Sequence, residues 1–234
     1  MNFFSFANII IYIDKFIKFI NSVFFVALLI GLSFALILSP IDYLQGDTVR
    51  IMYVHVPSAW IGLAVFSLLA LSTILNYLFK IKNLFIFIKS LAPIGLLFTC
   101  LAIVTGSLWG KPTWGTWWAW DARLTSMLVL MVFYIFYIFS LKYIKHDEKL
   151  PKILLIISVL GMINIPIIKY SVNWWSTLHQ PASIKFIGTT TIHSSMLVPL
   201  FLMLLVLLLY CALIFLMKYK TEIIKIKKRN INRL

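Results

Sequence analysis

Apolar residues form long uncharged runs along the chain, and short polar segments separate one run from the next. A helix needs about 20 apolar residues to cross a lipid bilayer. The shortest run, Ile153–Ile168, becomes long enough when Lys169 is added as an end residue whose charge reaches the membrane surface. The pattern predicts six membrane-spanning helices at approximately 19–41, 51–79, 90–108, 124–141, 153–169 and 191–217.

The predicted fold is an all-α integral membrane protein in which residues 1–234 form one bundle of six transmembrane helices. The loops are short and no internal repeat is evident, so we expect neighbouring helices to pack side by side. The second and sixth apolar runs exceed one crossing and should project beyond the membrane. Met1–Ile13 lacks the basic start and cleavage site of a signal peptide, and predicts a surface helix leading into the first span.

Composition supports a membrane location and excludes several other classes. Hydrophobic residues make up 62% of the chain and charged residues 12%, whereas soluble domains are about 45–50% apolar and about 25% charged. This argues against a cytoplasmic enzyme, a secreted domain and a disordered tail. Cys100 and Cys211 lie within apolar runs without a C-x-x-C motif, which indicates buried structural thiols rather than disulfides.

The formal net charge of +14 is distributed unevenly between the two sides of the membrane. In the six-span arrangement one side carries sixteen Lys and Arg residues. The other side carries five, which are Arg50, Lys111, Arg123, Lys169 and Lys185. The positive-inside rule then places both termini in the cytoplasm and turns the loops at about 40–50, 109–123 and 169–190 outward. The charge therefore acts mainly as an insertion signal, the basic tail can contact anionic lipid, and no nucleic-acid partner is expected.

Tryptophan is concentrated on the predicted outer side. All eight tryptophans map there, and five of them lie within Trp109–Trp120. An aromatic belt at the membrane surface is one interpretation, but a belt should occupy both surfaces. The alternative is an aromatic platform in the outward loop 109–125 that binds a large, flat, apolar ligand.

Three of the four histidines, His55, His179 and His193, also lie on the outer side, whereas His146 belongs to a charged inner loop. Imidazoles on both sides of a tryptophan-rich loop fit axial ligation of a haem iron, and outer cations fit its propionates. The residues alone leave open which two histidines bind. Zinc is a weaker alternative because no carboxylate or thiol cluster accompanies them.

Two other classes of membrane protein, redox enzymes and permeases, also have bundles of apolar helices. A membrane redox enzyme would carry histidine pairs inside its helices, and a permease would not need a one-sided tryptophan cluster.

Asp121 immediately precedes the fourth span, and we expect it to cap that helix or to pair with Arg123.

The segment from Trp114 to Asp121 reads W-G-T-W-W-A-W-D and resembles the WWD signature of membrane haem-handling proteins. Three further segments are similar to the cytochrome c maturation protein C family in particular. They are Y-V-H-V-P at 53–57, G-S-L-W-G-K-P at 106–112 and S-V-N-W-W-S-T-L-H-Q at 171–180. The similarity extends from about Arg50 to Gln180, and it favours haem handling over the other classes.

The resemblance implies a haem-binding membrane subunit of cytochrome c biogenesis that is not an enzyme. It implies that haem b is held without a covalent bond while in transit, with His55 and His179 as axial ligands and His193 not a ligand. The remaining implied binding residues are Trp114, Trp117, Trp118, Trp120, Asp121 and Arg123.

The implied partners are the other cytochrome c maturation proteins. They are a membrane-anchored haem chaperone, protein E, which receives the haem, the ABC transporter pair formed by proteins A and B, and the small protein D. The implied location is a bacterial inner membrane with the site on the periplasmic side. The mitochondrial inner membrane is the alternative.

Overall fold

The computed structural model of the chain describes residues 6–144, 149–180 and 192–231. Six long helices are present and no named strand occurs in these ranges. The helices are α1 (Phe6–Ser33), α2 (Met52–Phe79), α3 (Lys82–Trp114), α4 (Ala122–Tyr143), α5 (Lys149–Trp174) and α6 (Ser194–Ile231). Each of the six contains a segment long and apolar enough to cross a membrane. The predicted all-α fold with six membrane-spanning helices is confirmed.

Several helices extend beyond the spans that hydropathy predicts. α1 starts at Phe6 and continues as a π-helix over Phe34–Leu38, so the predicted surface helix merges with the first span. α3 runs to Trp114, and the first part of the predicted outward loop 109–125 is therefore helical. The 38 residues of α6 span about 57 Å at about 1.5 Å per residue, longer than the ~30 Å hydrocarbon core.

α2 and α3 form the centre of the bundle. α4 and α5 pack on one side of this pair and α6 on the other, while α1 packs chiefly against α6. Phe66 of α2 and Tyr134 of α4 meet edge to face in the fully buried centre, with ring centroids 4.9 Å apart. This packing places the N-terminal ends of α2 and α4 and the C-terminal ends of α3 and α5 around one space.

Buried polar groups in the middle of the bundle bond to partners on other helices. The Tyr134 hydroxyl donates to the Gly62 carbonyl at 2.8 Å, and the Asn164 amide donates to the Ser126 carbonyl at 2.8 Å. Ion pairs also join α6 to α3 and to α1 near the helix ends that are rich in lysine. Lys89 of α3 lies 3.2 Å from Glu222 of α6, and Lys220 of α6 lies 2.5 Å from Asp14 of α1. These bonds satisfy groups for which lipid offers no partner.

Candidate functional site

A cavity opens between the N-terminal ends of α2 and α4 and the C-terminal ends of α3 and α5, and it encloses about 720 Å³ of empty space including its open mouth. Its walls are mainly apolar, formed by residues such as Leu63, Ile103 and Met127. A few polar side chains also line it. They belong to His55, Trp60, Ser107, Trp114, Trp118, Arg123 and His179. A mostly apolar cleft with few polar groups is typical of a small-molecule binding site.

His55 lies in the first turn of α2, and contacts with α3 fix its ring. Its Nδ1 is 2.9 Å from the Ala102 carbonyl and 3.2 Å from Thr105 Oγ1. Because a carbonyl only accepts, Nδ1 carries the proton and Nε2 keeps a free lone pair. A Cβ at Gly106 would come within 2.8 Å of His55 Cε1, so only glycine leaves room for the imidazole in this position. In metal sites, a hydrogen bond from the ring nitrogen that does not bind the metal orients the ligating histidine in the same way.

His179 lies in the segment after α5 and faces His55 across the cavity. The centroids of the two imidazole rings are 6.4 Å apart with an interplanar angle of 75°. The indole of Trp114 lies 5.0 Å from the His179 ring. Burial, together with the charge of Arg123 and the nearby His55, lowers the pKa of His179 to about 3. The imidazole is therefore neutral at physiological pH and able to bind a metal ion.

The predicted tryptophans divide into two pairs. Trp114 and Trp118 line the cavity, and the buried Nε1 of Trp118 has no hydrogen-bond partner among the described residues. Trp117 and Trp120 lie outside the cavity lining and expose 55% and 78% of their surface. Trp120 nevertheless packs against Trp118 at a centroid distance of 5.7 Å. The segment thus presents one aromatic pair inward and another at the surface.

Two residues give the WWD segment its shape. Gly115 ends α3 with φ +76°, a left-handed conformation that favours glycine. Asp121 begins α4, because its Oδ1 accepts from the Leu124 backbone N–H at 2.8 Å. The predicted capping role of Asp121 is confirmed. Its position at the start of α4 places Arg123, two residues later, in the cavity wall.

His193 is not part of this arrangement. His193 is exposed just before α6, where its Nδ1 lies 2.6 Å from Ser195 Oγ and accepts from the Ser195 backbone N–H at 3.3 Å. These contacts are typical of the start of a helix. His146 lies outside the described residues. Within the described ranges no three His, Cys, Asp or Glu side chains converge as a group that could hold a metal ion.

The residues that hold His55 in place were not predicted from the sequence. Ala102, Thr105 and Gly106 approach it from α3, about 50 positions along the chain. Gly106 belongs to the G-S-L-W-G-K-P segment that carries the family resemblance, and this was the one available signal. Gln45, which bonds to Trp109, carried no signal at all.

Known proteins match this chain over most of its length. A family model described as "Heme exporter protein C" matches residues 2–233. The chain is 44% identical over 164 residues to a ccmC-like mitochondrial protein of cytochrome c biosynthesis from Marchantia polymorpha, covering 70% of the chain and 69% of that protein.

Two bacterial proteins named heme exporter protein C are also similar. The one from Haemophilus influenzae is 40% identical over 196 residues, covering 84% of the chain and 80% of that protein. The one from Bradyrhizobium diazoefficiens is 36% identical over 194 residues, covering 83% of the chain and 74% of that protein. This chain therefore belongs to the haem exporter protein C family.

Proposed function

We propose that the chain is a haem-handling membrane subunit of cytochrome c biogenesis that binds haem b without a covalent bond, with His55 and His179 as the axial ligands. Family membership supports the general role in haem handling. The observation that carries the finer proposal is the pair of part-buried imidazoles facing each other across one cavity.

The distance between the two rings supports this assignment. An imidazole nitrogen binds a metal ion at about 2.0–2.1 Å, so rings on opposite sides of one ion have centroids roughly 6 Å apart. The centroids of His55 and His179 are 6.4 Å apart. The Nδ1 of His55 is occupied by the Ala102 carbonyl, which leaves Nε2 for the iron. Two histidines with no third side-chain ligand among the described residues fit a porphyrin iron, which already has four nitrogen ligands.

The remaining cavity residues supply the other contacts that haem needs. Trp114 and Trp118 offer flat aromatic surface with few rotamers to immobilise, and Arg123 offers a cation for a propionate. Asp121 contributes by starting α4 so that Arg123 lies in the wall.

The open mouth and the exposed Trp117 and Trp120 suit the transfer of haem to another protein. Exposed aromatic side chains at the rim of a site are typical of a docking surface. We propose that the receiver is a membrane-anchored haem chaperone, protein E, and that the ABC transporter pair formed by proteins A and B and the small protein D belong to the same assembly. In this role the chain binds and transfers haem and is not itself an enzyme.

The chain is a membrane protein with bacterial and mitochondrial relatives. We propose that both termini face the cytoplasm and that the cavity opens on the periplasmic side, or on the equivalent side of a mitochondrial inner membrane. The unequal distribution of Lys and Arg supports this orientation.

The test is to purify the protein in detergent from haem-supplied cells and to record its visible spectrum, followed by acid–acetone extraction. We expect a Soret band, and we expect extraction to remove the haem because no covalent bond holds it. His55→Ala and His179→Ala should each retain at least tenfold less haem, whereas His193→Ala should match the wild type. A Soret band unchanged in both variants of the cavity histidines would contradict the ligand assignment.

A further inference from the structure

We propose that Gln45, in the loop between α1 and α2, is a positioning residue for the haem site and acts through Trp109 on His55. This inference rests on the proposed function, because it assigns Gln45 a role only if His55 binds the haem iron. It concerns a contact between a surface loop and α3 that lies outside the cavity lining.

The first step is a hydrogen bond between residues 64 positions apart. The indole Nε1–H of Trp109 donates to Gln45 Oε1 at 2.7 Å. An indole N–H can only donate, and a partly buried donor without an acceptor is costly. Gln45 therefore fixes the rotation of the Trp109 side chain.

The second step is the contact between Trp109 and His55. Their ring centroids are 5.7 Å apart with an interplanar angle of 71°, an edge-to-face arrangement. On another side, the Ala102 carbonyl holds Nδ1 of His55. The hydrogen bond fixes one nitrogen, and the indole limits rotation of the ring about that bond. Both constraints are needed to aim Nε2 at one point.

The third step is the rigidity of the loop that carries Gln45. Asp42 Oδ1 accepts from the backbone N–H of Leu44 at 2.9 Å and from that of Gln45 at 2.8 Å. The Gln45 carbonyl accepts from the Thr48 hydroxyl at 2.6 Å. The backbone N–H of Gly46 donates to the Asp42 carbonyl at 2.9 Å and closes the turn. The amide oxygen that Trp109 uses is thus presented from a fixed backbone.

The experiment compares Gln45→Leu, which removes the acceptor, with Gln45→Glu, which keeps an acceptor at a similar position. Tyr43→Ser is the control, because Tyr43 lies in the same loop and is 98% exposed. The rate of haem loss from the purified protein is measured with excess apomyoglobin as the acceptor. We expect Gln45→Leu to lose haem about two- to tenfold faster, the range that the loss of one hydrogen bond gives. Gln45→Glu and Tyr43→Ser should stay within about twofold of the wild type.

A second measurement tests whether Gln45 acts through Trp109. In a Trp109→Phe background the indole donor is absent, so adding Gln45→Leu should change the rate of haem loss by less than about twofold. If Gln45→Leu keeps its full effect in that background, the path through Trp109 is wrong. Equal impairment of Gln45→Leu and Gln45→Glu would likewise contradict the proposed role of the acceptor.

The rates of haem loss separate the positioning role of Gln45 from the proposed function. If the wild type holds no haem, or if His55→Ala loses haem no faster than the wild type, the proposed function fails. If His55→Ala behaves as expected and Gln45→Leu loses haem no faster than Tyr43→Ser, only the positioning role of Gln45 fails. The ferric spectrum of Gln45→Leu is also expected to show a larger high-spin fraction, which a purely structural effect on folding would not produce.

Discussion

The middle of the bundle and the cavity differ in whether their buried polar atoms have hydrogen-bond partners. In the middle, hydroxyl and amide groups such as those of Tyr134 and Asn164 bond to carbonyls on neighbouring helices. At the outer end, buried polar atoms of Trp118, Asp121 and His179 have no hydrogen-bond partner within the described part of the chain. Half of the six such atoms found in that part belong to the cavity or to the loop beside it.

This contrast supports the proposal that the middle of the bundle stabilises the protein and that the cavity binds haem. Native proteins leave few buried polar groups unsatisfied, and those that remain often mark functional sites. The middle of the bundle has buried glycines under the aromatic rings of Tyr134 and Phe66, as expected of a rigid core. The cavity has open space, polar atoms without hydrogen-bond partners in the described part of the chain, and a pair of facing histidines, which fits the proposed binding of haem. Substitutions in the two regions should therefore separate stability from haem binding.

The largest effect on binding is expected from Gly106→Val. The new side chain would occupy the space of the His55 imidazole, because even a Cβ would approach its Cε1 to 2.8 Å. Haem content after purification should fall at least tenfold, while the melting temperature changes little. Leu108→Val is the matched control, since Leu108 lies on the same helix and is 48% exposed. Normal haem content in Gly106→Val would remove the argument that this glycine positions His55.

A smaller effect is expected from Asp121→Ala, which removes the cap of α4. Loss of a side-chain cap costs about 1 kcal/mol of stability, and the start of α4 should fray. Arg123 would then be held less firmly, so haem binding should weaken moderately. Asp121→Asn keeps an oxygen for the Leu124 N–H and should restore both stability and binding. Unfolding in detergent with parallel haem titration provides the measurement, and equal loss in both variants would argue against the capping role.

The smallest effect on binding is expected from Tyr134→Phe in the middle of the bundle. It removes the hydrogen bond to the Gly62 carbonyl, and bonds between membrane helices contribute about 0.6 kcal/mol on average. The free energy of unfolding should fall by about that amount. Haem bound per folded molecule should match the wild type. A loss of haem binding without a loss of stability would contradict the division between the two regions.

Hydropathy and motifs predicted the general architecture better than the details of the site. Six spans follow from six apolar runs, and the Asp121 cap follows from its place before an apolar run. The helical state of Trp109–Trp114 was not predicted, because charge and proline at Lys111 and Pro112 end the apolar run before the helix ends. A helix continues past the hydrocarbon region wherever its backbone bonds remain satisfied, and hydropathy does not report this.

Apart from the motif that contains Gly106, nothing in the local sequence predicted the contacts that hold His55. The Ala102 carbonyl acts through its backbone, and Gly106 acts by lacking a side chain. Gln45 reaches Trp109 across 64 positions. Such contacts depend on how α2, α3 and the first outer loop pack together. They appear only once the bundle is assembled.

We propose that one haem iron is held by His55 and His179 together. The most direct test is the low-temperature electron paramagnetic resonance spectrum of the ferric protein, recorded for the wild type, His55→Ala and His179→Ala. In the wild type we predict the low-spin signal of a ferric haem with two axial imidazoles. In each variant that still retains haem we predict a high-spin signal. A low-spin signal that persists unchanged in either variant would contradict this proposal.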